Sequence, residues 1–233
     1  MPNWVYNGLT ITGNADEVNK LVTQMDKPFV DYVESVGDLA FNLKEVKYVN
    51  PIFSFRNIIA PTDMQAYHKQ PYEYQDHKPV EENKDSWYHW NVRNWGVKWD
   101  VAVSEDSKYR QTYIEGPVQN GDGLTVYYSF ETPWGVADKA LITLSSQYPT
   151  LLFKLSYQEE TGWGGQMKLL RGECIESSEY NWKCPECDYE EIDEPPYCED
   201  CDFDMCPSCG WGEPDERCQS HMVESTPTEK ENA

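Results

Sequence analysis

LTVYYSFETPWGVADKALITLSSQYPTLLFKLSYQ, residues 124–158, alternates, changes period, and alternates again. Leu124, Val126, Tyr128 and Phe130 interleave with Thr125, Tyr127, Ser129 and Glu131, the period of two that gives a strand one buried and one wetter face. Leu151, Phe153, Leu155 and Tyr157 repeat that pattern against Lys154, Ser156 and Gln158. Between them Val136, Ala140, Leu141 and Leu144 fall at helical spacing. They predict a helix from Val136 to Gln147, approached through Thr132-Pro133 and stopped before Pro149. The stretch reads strand, helix, strand.

Upstream, Leu9 and Ile11 alternate with Thr10 and Thr12, predicting another strand. Asn14 then caps a helix, with Glu17 as its capping-box partner and Val18, Leu21, Val22 and Met25 on one face. Downstream, Gly162, Gly164 and Gly165 join Leu151–Gln158 to Gln166–Gly172 as a hairpin. A short helix is predicted over Ser86–Asn94. The order strand, helix, strands, helix, strands is α+β. It suits a ferredoxin-like split βαβ sandwich, with a sheet covered on one face by two helices. Residues 29–85 read as an insertion or elaboration with one strand at Ile52–Ile59. Apolar alternation ends near Ser177-Ser178, so the α+β domain is placed at 1–178. A cysteine-rich module follows at 179–223, and a polar, disordered tail at 224–233.

That module holds Cys184/Cys187, Cys198/Cys201, Cys206/Cys209 and Cys218/His221, four pairs each spaced by two residues. A C-x2-C turn directs two sulfurs to one ion, and two such pairs close a tetrahedral site with no open position. Eight ligands therefore predict two structural Zn2+ ions. A disulfide framework is the bland alternative; no secretory signal opens the chain, and the spacing is that of zinc knuckles. The spacers are ten, four and eight residues. Consecutive pairing joins Cys184, Cys187, Cys198 and Cys201 on one ion and Cys206, Cys209, Cys218 and His221 on the other. Alternate pairing joins Cys184, Cys187, Cys206 and Cys209, leaving Cys198, Cys201, Cys218 and His221. The run from Cys198 to Cys209 resembles the middle of cross-brace zinc fingers of the FYVE and ZZ kinds, which favours alternate pairing. Ligand specificity does not carry over. Glu194, Glu199 and Asp200 stand where lipid-binding FYVE fingers are basic, and only one histidine is present where ZZ fingers use two.

Charge bounds the partners. The chain carries 41 acidic and 19 basic residues, and residues 181–233 hold 16 of the acids against Lys183, Arg217 and Lys230, a net of −13 in 53 residues. Such a surface repels phosphate, so nucleic acid is not expected on the zinc module. An acidic, solvated face that keeps the protein in solution is the simplest reading. No apolar run approaches the roughly 20 residues needed to span a bilayer. A reducing cytoplasm is expected, with no membrane contact. Cys174, outside the eight-ligand set, is read as a small core residue.

Catalysis finds little support. His68, His77 and His89 stand apart from any nucleophile motif, and no phosphate loop, G-x-G-x-x-G or H-E-x-x-H occurs. Asp100 and Glu131 would serve as paired carboxylates, but chance pairs are expected in so acidic a chain. The segment WYHWNVRNWGVKWD, residues 87–100, interleaves Trp87, Tyr88, Trp90, Trp95 and Trp99 with Arg93 and Lys98. Functionally it is a platform for stacking single-stranded bases. Structurally, Trp87, Trp90 and Trp95 form one helix face on the sheet and Gly96 ends the helix. The structural reading is preferred, since only two bases accompany the aromatics.

This segment, together with MPNWVYNGLTITG (1–13), YSFETPW (128–134) and LSSQYPTLLFKLSYQEETGWGG (144–165), resembles the YubB ferredoxin-like family of bacteriophages and conjugative plasmids. The resemblance spans most of residues 1–172 and departs from the family at Trp134-Gly135-Val136. It implies the ferredoxin-like fold, a mobile-element origin and a bacterial host cytoplasm, and supplies no catalytic residues. The expected function is that of a non-enzymatic accessory protein binding a host or phage protein through the acidic zinc module. The alternative is a nucleic-acid-binding accessory or regulatory protein using the N-terminal domain.

Overall fold

The computed structural model describes residues 3–34, 43–63, 67, 87–101, 112–183, 190–191, 197–198 and 203–204. The chain divides into two compact units, residues 1–160 with 165–178, and residues 161–164 with 179–233.

β1 (Trp4–Gly13) is the centre of the first unit. It pairs antiparallel with β5 (Gly123–Pro133) on one side and β6 (Leu152–Glu159) on the other. β4 (Tyr113–Asn120) flanks β5, while β7 (Gly164–Leu170) and β8 (Glu173–Tyr180) extend the β6 side, giving the order β4-β5-β1-β6-β7-β8. α1 (Ala15–Met25) follows β1, and α3 (Asp138–Gln147) links β5 to β6. β4-β5-β1-β6 with these two helices is the split βαβ arrangement, and the domain is ferredoxin-like with a lengthened antiparallel sheet. A separate hairpin, β2 (Phe29–Glu34) and β3 (Leu43–Tyr48), and the short helix α2 (Trp87–Asn94) complete this unit among the described residues.

Register explains the core. Cross-strand partners form successive rungs: Val5, Thr132 and Glu159; Asn7, Phe130 and Tyr157; Leu9, Tyr128 and Leu155; Ile11, Val126 and Phe153. All twelve side chains are buried, because partners in register share one face of the pleat. Val18, Leu21 and Met25 of α1 and Ala140, Leu141 and Leu144 of α3 are buried as well, as their spacing predicts. Asn14 caps α1 by accepting a hydrogen bond from Asp16 N at 2.9 Å.

Four expectations are corrected. Ile52–Ile59 is not a strand: Phe55–Asn57 is a single 3-10 turn whose preceding Ser54 caps it, accepting from Arg56 N at 3.1 Å. The turn buries Phe53, Phe55 and Ile58. Phe53 stacks on Phe130 at 5.0 Å and 10°, so this segment covers the sheet beside the helices. α3 starts at Asp138, two residues later than expected. Thr132 Oγ1 donates to Gly135 O at 2.7 Å and Trp134 N to Asn3 O at 2.9 Å, holding the chain in a turn before the helix. The buried residue of α2 is Asn91, while Trp87 and Trp90 remain partly exposed. Cys174 is exposed on β8 rather than packed in the core.

Two buried tyrosines give the fold an alkaline limit. Burial pushes the Tyr67 phenol up to about 12, although Arg56 and the Asn91 hydrogen bond oppose it, and burial also raises Tyr128. Unfolded tyrosines ionise near pH 10, so their stabilising contribution is complete below that pH and is lost as pH rises toward the folded values. Denaturant titrations should show stability falling above about pH 10, by about 1.4 kcal/mol per pH unit for each tyrosine. A curve that stays flat to pH 11 would contradict this.

In the second unit, β9 (Trp182–Lys183) pairs with β10 (Glu190–Glu191), and β11 (Tyr197–Cys198) with β12 (Phe203–Asp204), both antiparallel.

Candidate functional site

Of the eight predicted ligands, Cys198 lies in β11, and its backbone pairs with Phe203. Cys184, Cys187, Cys201, Cys206, Cys209, Cys218 and His221 fall outside the described residues, as does Glu194. The β11–β12 hairpin reverses the chain between Cys198 and Phe203. No group of metal-ligating side chains occurs among the described residues.

The aromatic segment is legible in detail. Trp95 is fully buried, its indole nitrogen donating to Ile59 O at 3.0 Å and its ring 5.9 Å from Phe55. Asn91 Nδ2 donates to Lys98 O at 2.7 Å, and Tyr67 Oη donates to Asn91 Oδ1 at 2.6 Å, pinning the loop after α2. Gly96 turns that loop with φ +89°, and a Cβ there would collide with the Asp138 carboxylate. Glycine is required at this position for both reasons.

Asp100, the end of the motif, has a structural task. Its carboxylate accepts from Ser54 Oγ at 2.6 Å, Phe55 N at 2.7 Å and Val101 N at 2.8 Å, so it holds the 3-10 turn in place. Arg56 extends across Asp31, with a 2.8 Å ion pair, and approaches Asp100 at 3.8 Å. The side chains of Arg56, Asp31 and Asp100 are only about one-tenth exposed. The guanidinium also lies 5.6 Å from the Tyr67 ring centroid, 5.7 Å from Trp95 and 6.0 Å from Phe29. Burial raises the Asp100 carboxyl above the ordinary carboxylate range, opposed by Arg56 and the hydrogen bonds from Ser54, Phe55 and Val101. Glu131 is not part of this cluster; it acts electrostatically on Tyr6, where burial and the nearby Glu131 and Glu160 raise the phenol. The structure therefore does not bring Asp100 and Glu131 together as a carboxylate pair. Of the three non-ligand histidines, His89 sits on α2 against Tyr88, and His68 and His77 lie outside the described residues.

A stack does exist, but with other members than the segment alone offers. Trp99 lies 6.2 Å from Trp4 at 24° and 5.8 Å from Trp134 at 33°, so three indoles from the start of β1, the loop after α2 and the turn before α3 form one row. Trp99 is 37% exposed and Trp134 52%. The Lys98 ammonium sits 4.6 Å from the Trp99 centroid, 5.0 Å from Trp134 and 5.8 Å from Tyr88. Trp4 and Trp134 lie far from residues 87–100 in sequence, so no local pattern announces them.

No helix among the described residues is long and apolar enough to cross a membrane. No curated protein matches the chain. A solved structure, the protein Api92 from Yersinia pseudotuberculosis, is 10% identical, with a match covering 79% of this chain and 100% of that one at a TM-score of 0.40. Residues 108–202 match the family described as the ferredoxin-like domain in Api92-like protein.

Proposed function

We propose that this protein acts by binding another protein, with residues 179–223 as an acidic module built on two structural Zn2+ ions, and that it catalyses no reaction. The observation that carries the reading is the net charge of −13 within residues 181–233. Acidity at this density selects a basic partner, and it competes with nucleic acid for such a partner's cationic surface. The resemblance of the N-terminal segments to proteins of phages and conjugative plasmids supports a host or phage protein as the partner, met in the bacterial cytoplasm.

The test uses the full-length chain as bait beside a variant with Glu190→Lys, Glu191→Lys and Glu194→Lys. Reversing three charges should weaken capture of a basic partner by at least about tenfold and reduce the salt dependence of association, with thermal unfolding of the first unit unchanged. Equal capture by both proteins would overturn the assignment of the surface. A second reading, nucleic-acid binding by the first unit, is favoured by the exposed indole stack.

A further inference from the structure

We propose that Trp4, Trp99 and Trp134, together with Lys98, form a site on which single-stranded nucleic acid stacks its bases. The proposal rests on the first unit alone and stands apart from the protein-binding role of residues 179–223.

The backbone at Trp134 is the first reason. Its φ is +59°, a left-handed conformation that a bulky L-residue adopts only at a cost and that glycine adopts freely. Local folding therefore does not select tryptophan there. The turn is fixed by Asn3 O, which accepts from Trp134 N, and by Thr132 Oγ1, which donates to Gly135 O; neither bond needs the indole. A large ring is thus held half in solvent at a strained position, and strain retained at an exposed side chain is characteristic of binding sites.

Charge is the second reason. Lys98 has no carboxylate within ion-pair distance among the described residues, in a chain with 41 acids. Its ammonium lies over ring faces. Lys139 at the start of α3 donates to Val92 O at 2.9 Å, bringing a second cation to the end of α2. The Asp138 carboxylate beside it accepts from Lys139 N at 2.8 Å and keeps its charge, so Lys98 is the cation the site relies on. The Lys98 ammonium over these rings fits a ligand carrying negative charge, and the row of indoles fits one carrying planar rings. Single-stranded DNA or RNA has both along its length. A duplex keeps its ring faces stacked on one another and would engage the cations only.

The experiment measures fluorescence anisotropy of a labelled oligothymidylate of about 12 nucleotides with full-length protein, between about 50 and 200 mM salt. The strand should bind and quench tryptophan emission, and a blunt duplex of equal length should bind far more weakly. Trp134→Gly should weaken binding by about tenfold. Because its φ suits glycine, that variant should melt no lower than a Trp99→Ala control. Lys98→Gln should reduce the slope of log affinity against log salt by about 0.7. Reversal of Glu190, Glu191 and Glu194 should leave strand binding intact or strengthen it, which separates this site from the protein-binding surface. Absence of strand binding at the lower salt, equal binding of duplex, or unchanged affinity in a folded Trp134→Gly protein would each overturn the proposal.

Discussion

Removing metal with a strong chelator is expected to unfold residues 184–221 and leave the first unit standing. The expectation follows from eight ligands within 38 residues and very little apolar sequence between them. Structural zinc contributes apparent binding free energies of about 10–16 kcal/mol in small fingers, and in a segment without a core of its own that is the folding free energy. The first unit depends on nothing of the kind: its rungs from Val5 to Ile11, with α1 and α3 over them, are buried side chain on side chain. Thermal melts should therefore show two transitions, of which chelation removes one. Elemental analysis should find two zinc ions per chain, and a value of one or none would reject the eight-ligand set. Under alternate pairing, Cys184→Ser and Cys206→Ser lose the same ion and Cys198→Ser the other; consecutive pairing would group Cys184 with Cys198.

Periodicity made the central strands and both sheet-packed helices readable, because each of those elements buries one side and leaves the other wet. The elements that escaped lack that contrast. β4 is an edge strand with no buried residue, and its register shifts between Glu115 and Val118, where Gly116 takes a φ of +91° and a Cβ would press on Thr125 O. β8 is exposed along nearly its whole length, so no apolar alternation marks it. At Ile52–Ile59 the pattern was present and misleading. A tight turn that buries Phe53, Phe55 and Ile58 mimics a period of two over a few residues. The indole stack and the Arg56 cluster draw on segments far apart in the chain. Trp99 and Lys98 were visible as an aromatic and basic run, whereas Trp4, Trp134, Asp31 and Ser54 become relevant only when the fold assembles them.

Asp100→Ala should cost the first unit about 3–5 kcal/mol, the range for breaking a buried, hydrogen-bonded charge cluster by removing one partner. Three donors lose their acceptor at once: Ser54 Oγ and the N–H groups of Phe55 and Val101, the first two of which fix the turn over Phe130. In a unit of this size the melting midpoint should fall by about 10 °C. Lys20→Ala, which removes an exposed pair with Glu17, should leave stability almost unchanged and serves as the contrast. Arg56→Met separates charge from packing. It leaves Asp31 and Asp100 buried without their shared cation, and Asp100 is already raised by burial. Losing Arg56 removes an influence that lowers that pKa, so the folded carboxyl binds its proton more readily than the unfolded one does. A raised carboxyl of this kind destabilises the fold when ionised and ceases to do so as pH falls through its folded value. The deficit of Arg56→Met relative to wild type should therefore shrink as pH is lowered from neutrality toward the carboxylate range near about 4. Asp100→Ala, with no carboxyl left to protonate, should show no such recovery, its deficit holding or growing over the same interval. If both variants respond to pH alike, the cluster holds the turn by packing rather than by charge.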